Sequence, residues 1–295
     1  MFPQPKRRRK NQTESDFHPF PVDDINPESE HIFSGYFTGI NVEVFDAESI
    51  KKLYENGSFG IGSRTQAAPK VLWKGEIAPT KVSKEIYDKK CEWREQIDCF
   101  ESKAEIIVDK IDDTGDPEND SMETVQIDPF HIEETLVLTL EESFFLHSTL
   151  KCLRILDSAG TVLDTNDILS RFCRLKPHFW THFVAYSYLR SKNWIVKCGL
   201  KFGGDFLLYK KGPRYYHASY IVLVKRSDSQ EYLNVNQLHG HYRISETSKK
   251  DLLIVEIYYP KHLVDETDPM SLLENLNLFR ASEMTMKRFN YQQEH

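Results

Sequence analysis

Tyr209, His217 and the adjacent pair Lys249 and Lys250 are the residues whose types could do acid–base chemistry together. A phenol and an imidazole can each exchange a proton, and an ammonium can hold negative charge that develops on a reacting group. The first two stand in the stretch YKKGPRYYHASY, Tyr209 to Tyr220. Within its first nine residues fall three tyrosines, two lysines, an arginine and a histidine. A cluster of this kind by itself reads as a solvated turn. Each residue also has an ordinary structural reading: Tyr209 as a half-buried strand-end aromatic, His217 as a hydrogen-bonded residue entering a strand, either lysine as a solvated strand-end charge.

The elements that must position these residues argue for more. FLLY precedes the stretch, IVLV follows it, and Gly212-Pro213 breaks the chain between them. Strand, short loop and antiparallel strand is the local reading. Further on, KKDLLIVEIYY begins at Lys249. Both later runs are apolar at consecutive positions, the pattern of strands covered on both faces. Their connection, from about Arg226 to Ser248, contains one or two turns of helix at Asn234-Val-Asn-Gln-Leu. That length suits a right-handed crossover between parallel neighbours. The C-end of the first strand and the N-ends of the next two then share one rim, where Tyr209, His217 and Lys249 or Lys250 converge.

At 295 residues the chain can hold two modest domains or one large one. Its net charge of -7 argues against coating nucleic acid by charge alone, so an RNA-acting role needs a local basic patch or a basic partner. The five cysteines form no CxxC pair, which suits a reducing compartment and gives no zinc signature. His239 and His241 lack further ligands nearby in sequence, so no metal is expected. No apolar run approaches ~20 residues and no secretory leader opens the chain, so a soluble intracellular protein without membrane association is expected.

In chain order, residues 1–30 read as a disordered basic and acidic tail, with KRRRK at Lys6 to Lys10 as a nuclear import signal or nucleic-acid contact. Residues 31–160 read as an N-terminal α/β domain. From Phe33 to Trp73 the pattern is strand (INVEVF), helix (AESIKKLYENG, capped by Asp46), tight turn (FGIGSR) and strand (KVLW). Lys81 to about Glu105 reads as a charged helix, and Asp109 to Asp128 as part of a disordered acidic insertion spanning about 76–130. That acidic run lacks the register of a calcium loop. LVLTLEESFFLHSTLKCLRIL starts as a strand and becomes a helix, with Thr139 and Glu142 as a capping box and His147 as a packed or capped histidine. Residues 161–295 read as a helical lead-in, opening at Asp164-Thr165, followed by KPHFWTHFVAYSYLRSKN and then a sheet with bends at Gly199, Gly203 and Gly204. The last segment, NLFRASEMTMKRFNY, reads as an apolar strand.

YKKGPRYYHASY, together with YLRSKNWIVKCGLKFGGDFLLY before it, resembles the catalytic domain of tRNA-splicing endonucleases, and among them the eukaryotic catalytic subunit that cuts the 5′ exon–intron junction. The resemblance is strong from about Phe179 to Tyr259 and weaker through FSGYFTGINVEVFDAESIKKLYENGSFGIGS and LTLEESFFLHSTLKCLRIL. It implies an α/β fold: an α+β N-terminal domain and a mixed-sheet, restriction-endonuclease-like C-terminal nuclease domain. It implies a triad of Tyr209, His217 and Lys250, with Lys249 the adjacent alternative. Tyr209 would be the base for the RNA 2′-hydroxyl, His217 the acid for the leaving 5′-oxygen, and Lys250 the cation for the transition state. No cofactor is implied. The implied partners are precursor tRNA and the structural and second catalytic subunits of a nuclear heterotetramer. An arginine and an aromatic residue clamp an intron base in trans in this family; Arg243 matches the arginine, and Phe289 stands where tryptophan is usual. Two other readings stay open. One is a non-catalytic subunit of the same assembly, against which the intact triad argues. The other is a metal-dependent nuclease using Asp205 and Glu256, for which no Glu-x-Lys strand motif is present.

Overall fold

INVEVF forms half of a hairpin. β1 (Phe33–Phe37) buries Phe33, Gly35 and Phe37, and Thr38 N–H closes the turn on the Asn41 carbonyl at 2.9 Å. β2 (Val42–Val44) returns antiparallel and buries both valines. Asp46 then caps α1 (Ala47–Glu55), its carboxylate accepting from Ser49 N–H at 2.8 Å. β3 (Ile61–Gly62) follows. The computed structural model describes residues 18–21, 33–64, 69, 134–228, 234–260 and 268–286. KRRRK, KVLW, the Lys81 to Glu105 segment, the acidic run and Phe289 lie outside these residues.

β4 (Leu136–Leu138) leads into α2 (Leu140–Phe144) through the expected capping box of Thr139 and Glu142. The helix continues as a π-helical turn over Phe145–Thr149 and stops at Lys151, whose φ is +51°. LRIL is then β5 (Leu153–Leu156), not the end of the helix. It pairs parallel with β1, completing a sheet of order β3-β4-β2-β1-β5. The sequence reading of this half therefore needs three corrections: an extra hairpin strand, a short strand in place of the FGIGSR turn, and β5. His147 does pack: its ring nitrogens contact the Leu153 carbonyl at 3.0 Å and Thr165 Oγ1 at 3.2 Å.

α3 (Thr165–Leu175) is capped by Asp164, and α4 (Phe179–Ser191) starts just after Pro177. Phe144, Phe172, Phe179 and Phe183 are completely buried; Phe144 packs edge-on 4.8 Å from Phe183 and Phe172 edge-on 5.5 Å from Phe179, while Phe179 and Phe183 stack. Each such ring contributes about 1.5–3 kcal/mol by leaving water. This aromatic core joins the first sheet's helix α2 to the helices α3 and α4 that carry the second sheet.

The second sheet comprises β6 (Ile195–Cys198), β7 (Phe206–Tyr209), β8 (Tyr220–Arg226), β9 (Asp251–Tyr258) and β10 (Arg280–Met286), in order β10-β9-β8-β7-β6. β8 and β9 are parallel; the other neighbours are antiparallel. The β8–β9 crossover contains α5 (Val235–Thr247), thirteen residues long instead of one or two turns, which opens on a second capping box of Asn234 and Gln237. α6 (Pro269–Glu274) precedes β10. β10 is largely exposed, with Met284 63% accessible.

Two buried cations join the sheets. Lys197 on β6 donates to the Gly60 carbonyl at 2.6 Å and lies 3.3 Å from Glu142 Oε1. Arg190 donates to the Gly57 carbonyl at 3.0 Å and lies 4.0 Å over the Phe59 ring. The loop they grip, Gly57 to Gly60, abuts the 209–220 stretch: a Cβ on Gly212 would come 2.5 Å from Ser58 Oγ.

Candidate active site

Three strand ends make one rim. Ser219 N–H donates to the Leu208 carbonyl at 2.8 Å, and Asp251 N–H donates to the Ser219 carbonyl at 3.0 Å. The C-end of β7 and the N-ends of β8 and β9 are thus in direct succession, with neighbouring strands about 4.8 Å apart. Leu208 also pairs with Tyr220, so two residues of one strand oppose one of the other, as in a β-bulge. The bulge explains how Ala218 and Ile221, three apart, join one apolar cluster with Leu207 and Leu252.

Tyr209 is half-buried and packs against that cluster. His217 is exposed, yet its neighbours Tyr216 and Ala218 are each only 7% accessible, which anchors its backbone. The loop ahead of it is wound at Gly212, φ +92°, whose carbonyl accepts from both Tyr215 and Tyr216 N–H. Lys210, Arg214 and Lys249 are exposed around this rim, with Arg214 3.8 Å from Glu55 Oε1.

The two lysines differ. Lys249 is exposed with φ +55°, part of the turn that ends α5. Lys250 is half-buried; its N–H donates to the Ser245 carbonyl at 2.9 Å and its ammonium to the Ser248 carbonyl at 3.0 Å. The ammonium also lies 4.2 Å from the centre of the Phe202 ring. Burial lowers its proton affinity below that of an ordinary lysine. Lys250, not Lys249, is the one packed into the rim.

Of the other residues singled out, Arg243 is exposed on α5, seven positions before Lys250. Asp205 is occupied: His182 Nε2 contacts its Oδ1 at 3.1 Å and Val224 N–H donates to its Oδ2 at 2.7 Å. Glu256 accepts from the Tyr258 hydroxyl at 2.8 Å. Among the described residues no three His, Cys, Asp or Glu side chains are grouped to hold a metal ion. Two residues near Tyr220 or Lys250 escape a reading by sequence. Ser219 is 7% accessible, and its hydroxyl has no hydrogen-bond partner among the described residues. Phe202 is the other; the only signal for it is its place among the glycines of GLKFGG.

The family described as tRNA intron endonuclease, catalytic C-terminal domain, matches residues 179–262, which span α4 through β9. The tRNA-splicing endonuclease subunit Sen2 of Gallus gallus is 37% identical over 169 residues, covering 55% of this chain and 36% of that protein. Subunit Sen2-2 of Arabidopsis thaliana is 34% identical over 159 residues, 54% of this chain and 62% of its own length. The tRNA-splicing endonuclease of Saccharolobus islandicus is 31% identical over 127 residues, 43% of this chain and 68% of its own length. The chain spans little more than a third of the Gallus gallus relative, yet over two thirds of the compact Saccharolobus islandicus protein. The chain belongs to the tRNA-splicing endonuclease family.

Proposed function

We propose that the chain is a catalytic subunit of a tRNA-splicing endonuclease and cuts precursor tRNA at the 5′ exon–intron junction. The observation that carries this reading is the succession of β7, β8 and β9, which puts Tyr209, His217 and Lys250 at one rim. RNA brings its own nucleophile, the 2′-hydroxyl beside the scissile phosphate. Tyr209 takes the proton of that hydroxyl, and the oxygen attacks phosphorus. His217 gives a proton to the departing 5′-oxygen. Lys250 faces the extra negative charge on the phosphoryl oxygens of the transition state. The products are a 2′,3′-cyclic phosphate and a 5′-hydroxyl, and no step uses a metal ion.

The partners in this reading are a structural subunit, joined through the C-terminal strand β10, and a second catalytic subunit that makes the other cut in a heterotetramer. Arg243 and Phe289 would clamp an intron base at that second site. The KRRRK run supports a nuclear location. The test is intron excision by the reconstituted complex carrying His217→Ala. Loss of the 5′ cut by about 10²-fold or more, with the 3′ cut kept and activity insensitive to EDTA, is the expected result. A normal 5′ cut, or loss of both cuts with failed assembly, would refute it.

A further inference from the structure

The six-residue turn Gly199 to Gly204 does more than connect β6 to β7. It is closed at both ends by backbone bonds, Gly199 N–H to the Asp205 carbonyl at 3.0 Å and Asp205 N–H to the Val222 carbonyl at 2.8 Å. Its glycines are required by close approach. A Cβ on Gly199 would lie 2.7 Å from the Gly204 carbonyl oxygen, and one on Gly204 2.5 Å from Ile221 Cγ2 and 2.9 Å from the Val222 carbonyl oxygen. Gly203 takes φ +65°. The result of this winding is the position of Phe202, which packs on the cluster of Leu207, Ile221 and Leu252. The ammonium of Lys250 lies over the ring, 4.2 Å from its centre. Apart from the ring, the hydrogen bond that ammonium makes among the described residues is to one neutral carbonyl, of Ser248.

We propose that Phe202 is a positioning residue for Lys250: the ring face holds the ammonium in place, charged and with no carboxylate among the described residues to compete with an incoming phosphate. This rests on the catalytic reading of Lys250. The physics is a balance. Burial drives Lys250 toward the neutral amine, while the negative face of an aromatic ring favours the cation. A carboxylate in the same place would keep the charge but neutralise it. The other titratable or charged groups on these elements include Lys201 and Asp205 at the turn, Tyr209, His217, the α5 residues His239, His241, Tyr242, Arg243 and Glu246, and the flanking Lys249 and Asp251. Burial alone accounts for the lowered proton affinity of Lys250.

The test uses the full chain, selectively labelled with [ε-13C]lysine, and the same variants in the reconstituted complex. Phe202→Leu keeps an apolar side chain and removes the ring. Phe202→Met is the second ring-less variant, should the leucine fail to fold, and Phe202→Tyr is the conservative rescue. In the ring-less variants the Lys250 titration falls by about half a unit to one unit. In single-turnover cleavage below that titration kcat drops about three- to tenfold with KM unchanged. Phe202→Tyr restores both. A Lys250 titration that is the same with and without the ring overturns the proposal, even if cleavage is slow, because packing alone then explains the loss. A titration that follows the ring while Lys250→Ala cleaves normally would instead refute the catalytic reading of Lys250 and leave the ring's hold on the ammonium intact.

Discussion

Lys197→Met isolates the charge that ties the two sheets together. Methionine keeps the length and flexibility of the side chain, so no large cavity is made and the loss is polar. The wild-type ammonium donates to the Gly60 carbonyl at 2.6 Å and sits 3.3 Å from Glu142 Oε1, with the two side chains only 8% and 4% exposed. Removing one partner of a buried pair costs about 3–5 kcal/mol, because the remaining charge stays desolvated. Glu142 keeps two backbone donors, Gly60 N–H at 3.3 Å and Thr139 N–H at 3.1 Å, which places the loss near the lower end, about 3 kcal/mol. At about 2–4 °C per kcal/mol for a domain of this size, the thermal midpoint falls by roughly 6–12 °C. The assay is chemical and thermal unfolding followed by circular dichroism, for Lys197→Met, Glu142→Gln and the double variant. The double variant should lose at least about 1.5 kcal/mol less than the sum of the single losses, since the second change removes the charge stranded by the first. A single-variant cost under about 1 kcal/mol, together with strict additivity, would refute the argument.

Asp205→Asn should destabilise the chain by about 1.5–3 kcal/mol at pH 5, because Asp205 accepts from both His182 and Val224. Burial opposes its ionisation, but those two bonds outweigh it and hold its pKa below 3.8. A depressed carboxylate contributes stability above 3.8 and loses it as pH falls toward the folded value, so the gap between wild type and variant should narrow from pH 5 to pH 3 in urea unfolding; a gap unchanged across that range would contradict the assignment. Lys250→Ala should slow single-turnover cleavage by about 10² or more, whereas Lys249→Ala should stay within about threefold; equal losses would remove the distinction between the two lysines.

Local chemistry was enough for much of this protein. Asp46, Thr139 with Glu142, and Asp164 cap their helices through bonds that span three residues, so the sequence carries those starts in full. The rim was also readable: Gly212-Pro213 forces a short return between two apolar runs, and a long connection must separate two parallel ones, which leaves few ways to order β7, β8 and β9. Other features depend on partners far along the chain. LRIL fits a helix or a strand by its own pattern, and becomes β5 because β1, far earlier in the chain, offers it an edge. Nothing around Lys197 marks it as the buried lysine; Gly60 and Glu142 do so only when the sheets meet. Lys249 and Lys250 are equivalent as letters and are separated by a turn that sends the first into solvent and the second over Phe202. Hydrogen bonds within a turn of chain are encoded where they form, whereas burial and charge pairing are properties of a surface that exists only after folding.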